Sequence, residues 1–306
     1  MKHLYGPVPS RRLGVSLGLD IVPLKCCSLN CVYCQLGTRG VPTLRRRSYF
    51  PLAEFFAELE ERKPDLPRLD YATFSGSGEP TLNADLGELI RGTRRLLKAP
   101  ICVITNGTLT PDETVRADLC LADLVMPSLD AATQPVFEAV NRPAAGLRID
   151  DIIEGLIALR REFSGKLWLE ILLVAGINDG EAELNALIAA TKRIAPDTVQ
   201  LNTVVRPPTE TTAEPLSPER LNEIASRFTV PVETLTAYHG GGTERRDLDL
   251  YAEIIAYLER RPATLTDLAT MLGESEKTIS AHLEKLIVTR RVLSPDSAGG
   301  YFRVKE

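Results

Sequence analysis

The sequence predicts an α/β fold: a partial (β/α)6 barrel of the TIM type, followed by a small winged-helix domain. Three observations predict it. Up to about residue 235, short runs rich in Val, Ile and Leu alternate with amphipathic stretches of helical period. Parallel strands and their crossover helices produce that rhythm, in a doubly wound sheet or a barrel, and about six such units make an open, partial barrel. Three consecutive glycines, within the run 238–246, then interrupt it. Beyond them, three helical patterns and a hairpin pattern fit into about 60 residues.

Strands are expected at 14–19, 71–74, 101–105, 124–127, 167–173 and 199–203, each apolar and followed by turn residues. Helices are expected between them. The stretch 52–62 places Leu52, Phe55, Phe56 and Leu59 on one helical face. The stretches 85–97, 112–121, 150–161 and 181–194 behave alike, and Asp112-Glu113 and Asp150-Asp151 put acidic residues in first turns. After the glycines, 248–260, 265–272 and 276–288 read as helices. The runs 291–293 and 301–304 flank a turn-rich SPDSAGG as a hairpin. The expected boundaries are 1–237 for the barrel, 238–247 for a Gly-rich linker and 248–306 for the winged-helix-like domain.

A chain of 306 residues, 44% hydrophobic and 25% charged, has material for a large core and a small second one. Its net charge of −5 argues against nucleic-acid or membrane binding driven by charge alone. No run of about 18 apolar residues occurs, and residues 1–10 lack a signal-peptide pattern. A cytoplasmic protein without a membrane partner is expected.

Four of the six cysteines fall between Cys26 and Cys34. Cys102 and Cys120 lie in apolar runs and read as small buried hydrophobes. Cys27, Cys31 and Cys34 have the spacing C-x3-C-x2-C. Three thiolates on one loop can ligate three irons of a [4Fe–4S] cube, leaving the fourth iron open to another ligand. Two other readings stand beside this one. A structural zinc site needs four ligands and would recruit Cys26. A redox Cys-x-x-Cys pair would use Cys31 and Cys34 alone.

With these cysteines, Tyr33 before the last of them and Ser75-Gly76-Ser77-Gly78-Glu79-Pro80 after the second expected strand, the sequence resembles the radical S-adenosylmethionine (radical SAM) superfamily over about residues 10–235. The resemblance implies a [4Fe–4S] cluster on Cys27, Cys31 and Cys34, with S-adenosylmethionine on the open iron. It also implies reductive cleavage to a 5′-deoxyadenosyl radical, which abstracts hydrogen from a substrate. Tyr33 would lie against the adenine. Glu79, with Ser77 and Gly78, would receive the ammonium group, Ser77 standing where the superfamily's GGE segment has its first Gly. Asn106 would line the pocket, Ser128 and Asp130 would meet the ribose or carboxylate, and Arg142 would pair with the carboxylate. Glu170 and Asn202, on the fifth and sixth strands, are further candidates for the ligand face. An external electron donor of the flavodoxin or ferredoxin type is implied as partner.

The run from Tyr5 to Gly14 and the segment Cys-Ser-Leu-Asn-Cys-Val-Tyr-Cys-Gln-Leu-Gly are similar to the Fe–S oxidoreductases related to wyosine (tRNA four-demethylwyosine) synthase. The implied substrate is a nucleotide or tRNA base. No cysteine precedes Cys26, so a second upstream cluster is not expected. Arg11, Arg12 and Arg45–Arg47 could meet phosphates, or could be solvated surface charges. Cys26 could touch substrate or cluster, or stand by. In the C-terminal part, Lys277, Thr278 and Ala281 would occupy the recognition-helix positions of a DNA-binding version. Glu274, Glu276 and Glu284 make the local field nearly neutral, and a docking or dimerisation role is the other reading. His239 and His282 carry no assignable role. Two alternatives to the leading reading are a radical enzyme acting on a small metabolite or a glycyl-radical protein, and an Fe–S redox-sensing DNA-binding regulator.

Overall fold

A computed structural model describes residues 3–10, 12–36, 40–205, 212–234, 250–258, 262–272, 274–288, 291–293, 295 and 300–304. The expected glycine linker, His239 and Arg11 lie outside the described residues.

Strands β1 (Leu4–Ser10), β2 (Gly14–Leu19), β3 (Tyr71–Phe74), β4 (Ile101–Thr105), β5 (Leu124–Pro127), β6 (Lys166–Leu173), β7 (Thr198–Thr203) and β8 (Val232–Thr234) form one sheet in sequential order. β1 runs antiparallel to β2, and every later pair is parallel. A sequential order has no reversal point of the doubly wound kind, so all crossovers progress the same way, as in a barrel. β1 and β8 are the two edges, so the barrel is open. The helices of this part are α1 (Leu52–Arg62), α2 (Leu86–Leu96), α3 (Glu113–Leu119), α4 (Gln134–Asn141), α5 (Ile149–Glu162), α6 (Glu181–Ile194) and α7 (Pro218–Ala225).

β6 shows how the two faces differ. Leu167, Leu169, Ile171 and Leu173 are fully buried in the main core, while Trp168, Glu170 and Leu172 alternate with them and are half-buried. The first set faces the helices and the second faces the lumen, as a period of two requires. Arg12 forms an ion pair with the lumen-facing Glu170, 2.7 Å apart.

All six expected strands occur within a residue of their bounds. The structure adds two at the edges, β1 and β8, and two helices, α4 and α7. Beyond them lie α8 (Leu250–Leu258), α9 (Leu265–Leu272), α10 (Glu276–Val288) and the antiparallel pair β9 (Val292–Leu293) and β10 (Arg303–Val304). This is the expected three helices and hairpin. Ile254, Tyr257, Leu268, Leu272, Ile279 and Leu283 form its core, and Val8 of β1 joins that core. Among the described residues no helix is long and apolar enough to cross a membrane.

Candidate active site

The C-terminal ends of β2 to β5 meet at the cysteine loop. Asp20 follows β2, the segment 75–80 follows β3, Asn106 follows β4, and Ser128 and Asp130 follow β5. The strand ends expected to be functional therefore gather on one face, the face from which parallel barrels act.

Backbone contacts hold the cysteine loop from two sides. On one side Lys25 N donates to Ser77 O at 2.7 Å, and Glu79 N donates to Cys26 O at 2.9 Å. Gly78 makes this approach possible: a Cβ there would stand 2.0 Å from Cys26 O. On the other side Asn30 N donates to Asn141 O at 2.9 Å, Val32 N to Val140 O at 3.0 Å, and Ala144 N to Ser28 O at 2.9 Å. Arg142 closes α4 in the left-handed region, at φ 46°. Its carbonyl also accepts from Asn30 N, at 3.2 Å.

Each of the three expected ligand thiols has a nitrogen beside its sulfur. Asn106 Nδ2 lies 3.4 Å from Cys27 Sγ, Asn141 Nδ2 3.3 Å from Cys31 Sγ, and Lys25 Nζ 3.3 Å from Cys34 Sγ. Burial, and next the Glu79 carboxylate, push the Cys27 thiol up to about 12. Burial, then Asp130, raise Cys31 well above the ordinary thiol range. The Cys34 sulfur adds to both shifts, and the Cys27 sulfur to that of Cys31. Among the described residues no three His, Cys, Asp or Glu side chains converge on a point that would hold one metal ion. A cube asks something else of its ligands, because each thiolate meets a different iron. Cys26 points elsewhere, with its sulfur 2.9 Å from the Tyr49 hydroxyl.

Glu79 is 2% exposed. Its Oε1 accepts from Thr81 N at 2.9 Å and from the Thr81 and Thr105 hydroxyls at 2.7 Å, and its Oε2 accepts from Asn106 N at 2.6 Å. All four donors are neutral. Burial outweighs them and raises the carboxyl above its ordinary value. Ser77 is fixed through its hydroxyl, 2.5 Å from Asp20 Oδ2, and its amide, 3.1 Å from Oδ1.

Asp130 accepts from the Tyr33 hydroxyl, from Asn141 Nδ2 at 2.8 Å and from Leu172 N at 2.9 Å. Burial pushes it up to about 6. Burial, then this carboxylate, raise the Tyr33 phenol well above its usual range. Cys27, Cys31, Tyr33, Asn106, Ser128 and Asp130 border one cavity of about 60 Å³, closed on its other side by apolar residues including Phe137 and Ile152. That is well short of the roughly 300–1,000 Å³ of a small-molecule site, so it is an inner recess. A groove of about 490 Å³ lies between α5 and the loop after β4 and shares only Ile152 with this recess.

The structure thus brings together the three cysteines, Tyr33, Ser77, Gly78, Glu79, Asn106, Ser128 and Asp130. Glu170 is engaged with Arg12, and Asn202 Oδ1 accepts from Thr203 N at 2.9 Å. Arg46 is engaged with Asp118 at 2.6 Å and with Thr81 O at 2.9 Å, which agrees with its other reading as a surface charge. Sequence reasoning gave no role to Asn141, which bridges Asp130 and Cys31, or to Asp20. Their positions beside strand and helix ends were the available signal.

The sequence matches the radical SAM superfamily over residues 21–188 and the arsR family of bacterial regulatory proteins over residues 252–288. It is 37% identical over 297 residues to a protein named GTPase Obg of Brachyspira hyodysenteriae, covering 95% of this chain and 43% of that one. A UPF0026 protein of Methanocaldococcus jannaschii is 37% identical over 230 residues, 74% of this chain and 71% of the relative. The dual-specificity RNA methyltransferase RlmN of Nitratidesulfovibrio vulgaris is 29% identical over 202 residues, 60% of this chain and 51% of the relative. Streptococcus suis SuiB bound to S-adenosylmethionine superposes with a TM-score of 0.55 at 17% identity, covering 72% of this chain and 51% of SuiB. That last likeness is one of fold.

Proposed function

Because the chain belongs to the radical SAM superfamily and to the UPF0026 proteins, we propose that Cys27, Cys31 and Cys34 hold a [4Fe–4S] cluster and that the Glu79 loop receives the ammonium of S-adenosylmethionine. The residues fit the group. Three thiols share one short loop, and the carboxylate beside them is buried among neutral donors, an arrangement that a bound cation completes. The observation that carries the reading is the clip between Glu79 N and Cys26 O, which sets that carboxylate against the thiol loop.

When bound, cluster and S-adenosylmethionine supply a 5′-deoxyadenosyl radical for hydrogen abstraction. The chain's own residues do the positioning. Asn106 and Asn141 direct N–H groups at the sulfurs of Cys27 and Cys31, the kind of contact that tunes a cluster's potential. Asp130 locks Tyr33 and Asn141 together, and so fixes the ring expected beside the adenine. Gly78 keeps a carbonyl-bearing strand end close to the loop, and Ser128 borders the same recess. Phe137, Ile149 and Ile152 exclude water from behind.

The finer reading is that the substrate is a nucleotide or an RNA base, tRNA first. Its support is the resemblance to the wyosine-synthase group and the similarity to an RNA methyltransferase over 60% of the chain. The match to GTPase Obg covers less than half of that protein and brings no activity with it.

The test is anaerobic. The protein is reconstituted with iron and sulfide, reduced with dithionite, mixed with S-adenosylmethionine and assayed for 5′-deoxyadenosine, with Cys31→Ala beside it. About four irons per chain and product from the wild type alone are expected. A chain that takes up no iron refutes the cluster assignment. Stimulation of product by tRNA transcripts is expected for the finer reading, and stimulation by no RNA rejects it.

A further inference from the structure

We propose that Tyr5 is a positioning residue that couples the winged-helix domain to the segment 75–80, so that S-adenosylmethionine bound on that segment and docking of the domain strengthen each other. The proposal rests on the assignment of that segment above and adds a regulating domain to the same site.

The run from Tyr5 to Gly14 supplies no thiol to the cluster, yet it joins the two parts of the chain. Val8 is 7% exposed and belongs to the core of α8, α9 and α10, and Tyr5 packs against the same core. α8 and α9 lie against β1. In the register of β1 with β2, Tyr5 stands opposite Gly18 and Val8 opposite Ser16. Opposed residues share a face of the sheet. Leu17 and Leu19 take the helix-facing side, so Tyr5 and Val8 stand on the lumen side. The domain therefore covers the lumen face of the barrel's open edge. It also touches the other flank, where the Tyr301 hydroxyl donates to Val205 O at 2.7 Å, two residues past β7. A core that takes residues from β1 holds the domain to the barrel by the apolar area it buries there.

Tyr5 carries that docking to the site. Its ring lies on Gly18, where an added Cβ would stand 2.0 Å from Tyr5 Cζ. Its hydroxyl lies 2.8 Å from Ser75 Oγ. Ser75 opens the segment that contains Glu79, and its amide donates to Leu19 O at 3.1 Å. One side chain thus packs against the domain's core and reaches the ligand segment with its hydroxyl. A residue that only filled the space over Gly18 would need no hydroxyl. Undocking the domain removes the packing that keeps the ring on Gly18, and with it the bond to Ser75. A ligand that fixes the segment 75–80 holds Ser75, and through it the ring position that docking needs. Each event favours the other by the same factor, as thermodynamic linkage requires.

The test uses the reconstituted full chain with its cluster left oxidised, so that S-adenosylmethionine binds without being cleaved. Its Kd is measured by anaerobic calorimetry. Amide exchange in residues 262–272, which contain α9, is followed by mass spectrometry with and without the ligand. In the wild type, saturating ligand is expected to slow that exchange about fivefold. Tyr5→Phe keeps the ring and loses the hydroxyl; it should raise the Kd about three- to tenfold and abolish the ligand's protection of 262–272. Ser75→Ala removes the same bond from the loop side and should do the same, and Tyr5→Phe/Ser75→Ala should do no more than either alone. Ser16→Ala is the control: it breaks the buried hydroxyl pair with Thr73, 2.7 Å apart, and should leave both readouts unchanged. An unchanged Kd in Tyr5→Phe overturns the proposal, as does a ligand that leaves 262–272 unprotected in the wild type. So does protection that survives in both single variants, or an equal loss in Ser16→Ala, which would reduce the effect to general stability. Should Tyr5→Phe fail to fold, Ser75→Ala alone decides. A chain that loads no iron or binds no S-adenosylmethionine sinks the assignment above and this proposal together; a loaded chain that binds the ligand and fails these arms sinks the proposal alone.

Discussion

Gly78→Ala isolates the contact on which the site's geometry depends. The added Cβ would stand 2.0 Å from Cys26 O, 2.8 Å from Cys26 C and 3.1 Å from Val22 Cγ2. Two of these are backbone atoms, so no rotamer change relieves the clash. Reaching an ordinary 3.4 Å contact requires the cysteine loop to retreat by about 1.4 Å. The 2.9 Å bond from Glu79 N to Cys26 O does not survive that retreat. Overpacking costs about 1–3 kcal/mol and the lost hydrogen bond about 1 kcal/mol, so a loss of about 2–4 kcal/mol is expected. For a chain of this size that lowers Tm by about 3–6 °C. Gly180→Ala is the control, because nothing lies within 4 Å of its added Cβ. Thermal melts of the apo-protein, followed by circular dichroism, read the first effect. Iron per chain after anaerobic reconstitution reads the second, which should fall well below wild type. A Gly78→Ala protein that melts and loads iron like Gly180→Ala would refute the account of how loop and carboxylate are held together.

Three further predictions bear on the same region. Asn141→Leu removes the donor that bridges Asp130 and Cys31 and should destabilise the fold by about 1–3 kcal/mol in urea titrations; wild-type stability would show that the bridge holds nothing. Arg12→Met leaves Glu170 without its cation and should cost about 3 kcal/mol. Arg12→Met/Glu170→Leu should recover most of that loss, and a double variant as unstable as the single one would reject the pairing. Cys26→Ala should keep wild-type iron content after reconstitution, whereas Cys31→Ala should lose it; iron loss from Cys26→Ala would make Cys26 a ligand and revive the four-cysteine zinc reading.

The six inner strands were legible because each has neighbours on both sides and must be apolar on the helix-facing side. β1 was not, and its residues say why. Leu4–Ser10 contains a glycine and two prolines, which a central strand could not accommodate, and its register shifts between Tyr5 and Val8. It pairs only with β2, so the missing donors cost no ladder bonds. β8 is three residues long and too short for a period to show. The start of α7 was legible in principle, since Ser217 caps it ahead of a proline in its first turn. In the site, contiguous features were readable: the thiol spacing and the Gly-rich segment ending in Glu79. Asn141 was not, because its two partners lie 11 and 110 positions away and only the docking of α4 against the cysteine loop brings them together.

A separate set of contacts governs how Glu79 can act. Of its four hydrogen bonds, the two from Thr81 N and Asn106 N, one on each carboxylate oxygen, come from groups that can only donate. An amide in its place would turn an NH2 group toward either the Asn106 N–H or the Thr81 N–H. The negative charge is therefore built into the loop's own construction, before any ligand is considered. Yet burial raises this carboxyl above its ordinary value in spite of those donors, so they do not fully compensate the charge. A carboxylate held in place by neutral donors and left electrostatically short has a fixed position and a residual attraction for a cation. Those are the two properties that recognition of an ammonium group requires, and at Glu79 the same hydrogen bonds that position the carboxylate leave its attraction for a cation in place.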